Sequence, residues 1–159
     1  MLESGSEVTL RPATLDDARL LFEWRNRPEI VMLSRSRRSV DWNEHVLWLQ
    51  RVLSDPDHHL LFLVEIAFEP AGHLRFDRVD DESCEVSIYL LSGWTGRGFG
   101  VHSLAAGCRE VFHLWGIGHI DAVVRRDNPR SRSAFIKAGF RETGASDTDV
   151  VRLRRWRPV

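Results

Sequence analysis

Three glycines alternate with larger residues in the segment Trp94-Thr95-Gly96-Arg97-Gly98-Phe99-Gly100. Glycine allows tight turns and lets backbone N–H groups approach a ligand without a β-carbon in the way. An amphipathic run from Val101 to Trp115 follows and predicts a helix, whose N-terminus adds unpaired donors and a partial positive charge. This combination is suited to binding phosphate. The alternative is a glycine turn that only connects two elements.

The composition is that of an ordinary globular protein. The 159 residues suffice for one hydrophobic core, and we predict a single domain over residues 1–159. A formal net charge of -1 argues against a strongly basic nucleic-acid-binding protein, and no apolar run approaches the length of a bilayer span. Cys84 and Cys108 lack the paired spacing of a zinc site, and we find no secretory leader. We therefore expect free thiols, no metal and a cytoplasmic location.

The hydrophobic pattern alternates between strand and helix periods. Strands are predicted at Val8–Arg11, His59–Ala67, His73–Val79, Cys84–Leu91, Ile120–Val124, Phe140–Thr143 and Asp149–Trp156. Helices are predicted from the Thr14 N-cap to near Pro28, from Asp41 or Asn43 to Leu53, from Val101 to Trp115, and from the Asn128 N-cap to Gly139. Pro70-Ala71-Gly72 is interpreted as a turn, and the arginine-rich stretch from Ile30 to Ser39 as a mobile surface loop.

The order of these elements limits the topology. Three successive strands with short turns between His59 and Leu91 indicate an antiparallel meander. A helix joins Cys84–Leu91 to Ile120–Val124, so these two strands should be parallel neighbours connected by a right-handed crossover. The predicted fold is therefore a mixed α/β (α+β) one, a mostly antiparallel sheet of six or seven strands with about four helices and a central parallel pair.

Several motifs occur in the order and spacing of a known superfamily. The glycine loop lies between a strand and a helix, and Asp127-Asn128-Pro129-Arg130-Ser131 and Ala138-Gly139-Phe140 come after the next strand. The stretches from Leu10 to Ala18 and from Phe22 to Asn26 complete the pattern. The chain thereby resembles the GNAT superfamily of acyl-CoA N-acyltransferases, in the branch that holds amino-sugar and ribosomal-protein acetyltransferases.

The resemblance implies acetyl-CoA as co-substrate and assigns residues to it. Its pyrophosphate would lie on the backbone amides around Arg97, Gly98, Phe99, Gly100 and Val101. The strand before the loop would part from the next parallel strand, and the pantetheine arm would enter this gap beside Ile88, Tyr89 and Leu90. Asn128 would hydrogen-bond the arm from the other side.

Two positions depart from the superfamily pattern. Thr95 stands where an arginine or glutamine usually opens the glycine motif, so pyrophosphate binding would rest on backbone amides, with Arg97 or Arg130 in compensation. Phe135 stands where many members carry a tyrosine that protonates the departing CoA thiolate. Phenylalanine cannot donate a proton, which leaves water, Ser131, Tyr89 or the substrate as the source.

Acetyl transfer needs a proton acceptor for the amine and a donor for the developing oxyanion. Glu85 is the first candidate for the base, because its strand leads into the gap; the alternative is a solvated glutamate paired with an arginine. His73 is the second candidate, with an exposed histidine as its alternative. A backbone N–H where the strands part, near Leu90, is predicted to bind the oxyanion.

The acceptor pocket is expected to combine stacking and hydrogen-bonding side chains. The candidates are Trp24, Arg25, Asn26, the Arg35–Ser39 loop, His45, Trp48, His73, Arg75 and Asp77. The helical spacing of Trp24 and Trp48 is more often that of core residues, and Arg25 could simply stabilise the end of its helix.

The resemblance favours an N-acetyltransferase that acts on a small primary amine, such as a 4-amino sugar attached to a nucleotide. A close alternative is acetylation of a protein N-terminus, and a third hypothesis is a non-catalytic acetyl-CoA-binding protein. No nucleic-acid or membrane partner is expected. Sheet edges or exposed tryptophans could support a homodimer.

Overall fold

A computed structural model of the chain describes residues 7–144 and 146–159. Its strands are β1 (Val8–Pro12), β2 (His59–Ile66), β3 (Glu69–Arg78), β4 (Ser83–Leu90), β5 (His119–Arg125), β6 (Arg141–Glu142) and β7 (Val150–Trp156). Its α-helices are α1 (Ala18–Arg25), α2 (Pro28–Leu33), α3 (Trp42–Leu53), α4 (Phe99–Trp115) and α5 (Pro129–Lys137), with single 3-10 turns at Leu15–Asp17 and Ser92–Trp94.

The strands form one sheet in the order β1-β2-β3-β4-β5-β7-β6. Strands β2, β3 and β4 form the predicted antiparallel meander. Strand β4 pairs in parallel with β5, whereas every other described pair is antiparallel. The mixed sheet with one central parallel pair is therefore confirmed, with seven strands.

The turn between β2 and β3 lies earlier than the sequence suggests. Ala67 and Phe68 make it, with φ angles of 51° and 66°. Strand β3 already begins at Glu69, so the prediction of a turn at Pro70-Ala71-Gly72 is wrong. The register shifts between Val64 and Glu65, which pair with Gly72 and Pro70, so Ala71 is an extra residue in β3. This bulge lies next to Pro70, which cannot donate a backbone hydrogen bond, and lets the strand contain a proline.

Helix α2 replaces part of the predicted arginine-rich loop. Pro28 is its first residue, a position where the missing N–H costs nothing, so the proline starts a new helix after α1 has ended. Ile30 is fully packed, at 2% exposed. Only the segment between Leu33 and Trp42 is irregular, which corrects the prediction of a loop from Ile30 to Ser39.

Two apolar clusters cover the two faces of the sheet. The larger one joins α4 to the sheet through residues such as Leu74, Phe76 and Leu104. Gly107 of α4 lies against it, and a β-carbon there would come within 2.5 Å of the Leu74 side chain, so glycine permits this close approach. The smaller cluster packs α1 and α3 on the other face, around Leu49 and Leu63. None of the described helices is long and apolar enough to span a bilayer.

Candidate active site

Strands β4 and β5 separate soon after they begin. Their pairing extends only from Ser83, Cys84 and Glu85 to the corresponding residues His119, Ile120 and Asp121. Beyond Glu85 the two strands continue to Leu90 and Arg125 without pairing to each other. They therefore enclose a gap that is closed at Glu85 and open toward the N-terminus of α4.

The backbone of β4 presents hydrogen-bonding groups to this gap. The Val79 N–H donates to Ser83 O at 3.0 Å, and the Leu91 N–H donates to Ala71 O at 2.8 Å. Because antiparallel bonding alternates along a strand, the even-numbered residues of β4 direct their N–H and C=O groups away from β3. The gap is consequently lined by the backbone groups of Ile88 and Leu90. The Tyr89 carbonyl points to β3, where it lies against Gly72.

The glycine loop closes the open end of the gap. Gly96 and Gly98 have φ angles of 71° and 85°, in the left-handed region that glycine tolerates. A β-carbon at either position would meet no protein atom within 4 Å, so the loop is bordered by free space. The first N–H of α4 to bond backward is that of His102, to Gly98 O. The N–H groups of residues 99–101 therefore point out of the helix end, as an anion site requires.

Side chains of the loop organise the loop itself. The Arg97 guanidinium lies 5.3 Å from the Trp94 ring centre and 5.1 Å from the Phe99 ring centre, and it donates to Gly93 O. The Thr95 hydroxyl donates to Ser92 O at 3.1 Å. The backbone is thus the principal binding surface of this loop, and Arg97 lies alongside it.

The turn after β5 supplies the opposite wall. The Asn128 side-chain oxygen accepts a hydrogen bond from the Ser131 N–H and so caps α5. This leaves the Asn128 amide nitrogen to donate elsewhere, as expected for a contact to the pantetheine arm. Phe135, about two turns after Asn128, is 3% exposed and packs edge-on against Phe140 with ring centres 5.0 Å apart. Its position is that of a core residue.

The predicted catalytic and acceptor residues on β3 and β4 share one face of the sheet, which we call the acceptor face. Glu85, Ser87 and Tyr89 alternate along β4, and their β3 partners are Asp77, Arg75 and His73. Glu85 contacts Arg35, the arginine pairing that the sequence left as its alternative. At 34% side-chain exposure Glu85 remains accessible to solvent, as a proton acceptor must be.

Tyr89 packs between two aromatic rings on this face. His73 lies edge-on to it with ring centres 4.7 Å apart, and Trp24 lies 6.4 Å away on another side. His73 is 8% exposed and burial holds its pKa well below the ordinary value, so the ring is neutral at physiological pH. This corrects the expectation of an exposed histidine. Burial likewise raises the pKa of the Tyr89 hydroxyl, which keeps it protonated.

Two of the predicted acceptor-binding side chains are buried in the smaller cluster. Trp24 is 2% exposed, so its ring has no free face on which a sugar could stack, which corrects the sequence prediction. His45 is also buried, with its Nε2 atom 2.9 Å from Ala18 O, and burial lowers its pKa. Trp48 is half-buried beneath the Arg75 guanidinium, 5.4 Å from the ring centre.

The remaining predicted acceptor residues are held by protein partners. Arg75 and His59 both bond to the Asp77 carboxylate, at 2.8 and 2.7 Å. Arg25 donates to Arg38 O at 3.0 Å, so it fixes the following loop as well as lying at the end of α1. The Asn26 side chain also fixes this loop, through two hydrogen bonds with the Val40 backbone. Of the predicted set, Glu85, Arg75 and Tyr89 therefore lie along one face of β3 and β4, with Glu85 at the closed end of the gap and Tyr89 four residues nearer its open end.

A comparison of the sequence with protein families decides the family. The profile described as "Acetyltransferase (GNAT) domain" matches residues 7–141. The chain belongs to the GNAT acetyltransferase family. No curated protein matches the sequence well enough to serve as a closer relative.

Solved structures with the same fold include several other GNAT acetyltransferases. The aminoglycoside acetyltransferase AAC(6')-Ib in complex with paromomycin and acetyl-CoA has a TM-score of 0.83 and 21% identity, with 95% of this chain and 94% of that chain covered. The spermidine N-acetyltransferase of Vibrio cholerae with CoA and spermine gives 0.81 and 20%, covering 94% and 95%. RimL, a ribosomal L7/L12 alpha-N-protein acetyltransferase with CoA, gives 0.82 and 18%, covering 94% and 93%. These likenesses establish the fold.

Sequence reasoning about this GNAT domain missed the ion pair of Arg37 with Asp127 and left the arginine partner of Glu85 unidentified. Arg35 and Arg37 pair with Glu85 and Asp127, which lie 50 and 90 positions away in the chain. No local pattern identifies partners so distant. The only available signal was the density of arginines between Arg35 and Arg38, which indicates charge and gives no information about its target.

Proposed function

We propose that this GNAT domain transfers an acetyl group from acetyl-CoA to a primary amine. The observation that carries the proposal is the gap between β4 and β5, which runs from the anion site at α4 to the carboxylate of Glu85. Five residues of strand separate Leu90 from Glu85, about 16 Å. An extended chain bound by its phosphates at the loop would therefore bring its far end to the acceptor face.

The residues that hold acetyl-CoA follow from this placement. The pyrophosphate would bind the N–H groups of residues 99–101 and the loop around Gly98. The pantetheine amides would bond to the backbone of Ile88 and Leu90 and to the Asn128 side chain. The sequence placed Tyr89 in the same set. Its backbone N–H and C=O groups point to β3 and not into the gap, and its side chain lies on the acceptor face.

The reaction we propose is direct transfer through a tetrahedral intermediate. A C–N bond forms as the neutral amine attacks the thioester carbon, and the C–S bond then breaks. The oxyanion is stabilised by a backbone N–H in the gap. We assign this role to the Ile88 N–H, which is nearer the closed end of the gap than the Leu90 N–H that the sequence suggested. Glu85 accepts the proton that the amine loses, and holding both reactants in line supplies much of the rate.

The thiolate also needs a proton. Phe135 cannot provide one, and Ser131 lies in the first turn of α5, where its N–H bonds Asn128. We propose Tyr89 as the donor, because its residue adjoins Ile88 and its phenol is protonated at physiological pH. Burial raises its pKa and so makes it a weaker acid, which requires the phenolate to regain a proton as it forms. The phenol would then be restored by solvent.

We propose a small amine as the acceptor. The segment after α2 lies against both walls of the gap, at Glu85 and Asp127, which leaves less room for a peptide than an open groove would. A nucleotide-linked amino sugar is one hypothesis within this class, with Arg75 as the side chain to meet its phosphates. The loss of Trp24 as a stacking surface removes part of the support for it.

The test is the rate of CoA release from acetyl-CoA over a panel of polyamines, UDP-amino sugars and peptide N-termini. We expect turnover with at least one small amine. Turnover with peptides alone would overturn the choice of acceptor. Tight acetyl-CoA binding without turnover on any amine, and without an effect of Glu85→Gln, would favour the non-catalytic alternative.

A further inference from the structure

One irregular segment contacts both walls of the gap, at Glu85 on its closed end and at Asp127 just beyond β5. This segment, Ser34–Val40, connects α2 to α3, and we call it the arginine strap. It is fixed at its base, because Arg25 donates to Arg38 O and the Asn26 side chain exchanges two hydrogen bonds with the Val40 backbone, at 2.9 and 2.8 Å. The strap therefore has a defined position relative to the sheet.

The strap reaches both walls of the gap. Arg35 contacts Glu85 on β4, and Arg37 contacts Asp127 just beyond β5. Arg37 adopts a φ of 53°, which an arginine rarely does unless its surroundings enforce it. Hydrogen bonding to Arg37 holds the pKa of Asp127 below its usual value, so this pair is an ion pair at physiological pH.

The two contacts differ in how firmly they are held. The Arg37 side chain is 35% exposed beside an Asp127 that is 60% exposed, whereas Arg35 is 71% exposed beside a Glu85 that is 34% exposed. The Arg37 backbone is also held within the strap, because its N–H donates to Ser34 Oγ at 3.0 Å. An ion pair that involves an arginine as exposed as Arg35 contributes little to stability, so another cation can replace the Arg35 guanidinium on Glu85. Arg37 therefore fixes the strap, and Arg35 is the part that can leave its partner.

Charge on the acceptor face indicates what would replace Arg35. Glu85 lies in register between two other carboxylates, Asp77 on β3 and Asp121 on β5. Asp77 is bonded by Arg75 and Asp121 by Arg154, both from within the sheet. Among the residues that the structure describes, Glu85 has an arginine partner only from the strap. When Arg35 moves away, one uncompensated carboxylate remains at the closed end of the gap.

We propose that Arg35 is a tethered occupant of the acceptor's cation site. Its guanidinium holds the position on Glu85 that the ammonium group of a positively charged amine takes during catalysis. This inference rests on the proposed function, and it names the acceptor class as cationic amines. It also makes Arg35 a specificity-determining residue, since Glu85 can accept a proton from the amine only after Arg35 has been displaced.

The experiment measures binding of methylguanidinium to the CoA-bound protein by NMR titration, so no turnover is needed. Arg35→Gln should bind the probe about three- to fivefold more tightly than the unmodified protein, because its competitor is gone. Glu85→Gln and the double variant should lose saturable binding. Arg51→Gln, which removes one exposed arginine from α3, should bind like the unmodified protein and controls for net charge.

Three outcomes would overturn the proposal. Equal binding by Arg35→Gln and the unmodified protein would mean that Arg35 does not occupy the site. Weaker binding by Arg35→Gln would mean that Arg35 helps to form it. An equal gain in methylguanidinium affinity for Arg51→Gln would mean that the change in net charge alone explains the tighter binding. Because acetyl transfer is assayed separately, any of these results is distinguishable from failure of the acetyltransferase reaction itself.

Discussion

The two halves of the site are built from different groups. In our proposal the acetyl-CoA half uses backbone groups, which are the N–H groups at the start of α4, the left-handed glycines and the edge of β4 beyond Glu85. The acceptor half uses charged side chains, which pair with one another across strands and loops. A backbone site tolerates changes of side chain but not of conformation. A side-chain site has the opposite sensitivity, and variants in the two halves should therefore fail in different ways.

The largest effect is expected in the backbone half. Gly98→Val places a β-branched residue at a φ of 85° and a side chain in the space left for phosphate, so acetyl-CoA affinity should fall about tenfold to a hundredfold. Gly100→Val should also weaken binding. Calorimetry with acetyl-CoA measures both. Gly93→Val is the matched control, since a β-carbon there also meets no atom within 4 Å but the residue does not have a positive φ. Affinities unchanged by either Gly98→Val or Gly100→Val would place the cradle elsewhere.

The second prediction concerns the side-chain half. Glu85→Gln keeps the shape of the residue and removes its capacity to accept a proton, so kcat should fall about 10²- to 10⁴-fold. Acetyl-CoA affinity should stay constant, because the pyrophosphate site lies at the other end of the gap. Steady-state kinetics paired with calorimetry separates the two quantities. A parallel loss of affinity would contradict the division of the site into two halves.

Tyr89 lies at the border between the halves. Tyr89→Phe removes the hydroxyl while retaining the ring contacts with His73 and Trp24, so the fold should persist. We expect kcat to fall about 10²-fold with little change in acetyl-CoA affinity, because only proton donation is lost. Ser131→Ala, measured beside it, separates the two candidate donors. A larger fall in kcat for Ser131→Ala than for Tyr89→Phe would assign proton donation to Ser131 on α5.

The same division explains what could be predicted from the sequence. The loop, the Asn128 cap and the parallel strand pair follow from glycine, asparagine and periodicity, which act locally. The start of α2 was missed because Pro28 ends one helix pattern and begins another. The burial of His73 and Trp24, and the partner of Arg35, depend on which elements pack together, and no short stretch of sequence contains that information.

The smallest change in acetyl-CoA affinity is expected at Thr95, and it tests most directly whether the acetyl-CoA half of the site relies on backbone groups. Thr95 departs from the superfamily pattern, yet its hydroxyl is bonded to Ser92 O within the turn, so Thr95→Ala removes one exposed hydrogen bond. Acetyl-CoA affinity should change by less than about threefold, and calorimetry under the conditions used for Gly98→Val gives the comparison directly. If Thr95→Ala weakened binding as much as Gly98→Val, side chains would carry the cofactor half as well, and the proposed reliance on backbone amides would be refuted.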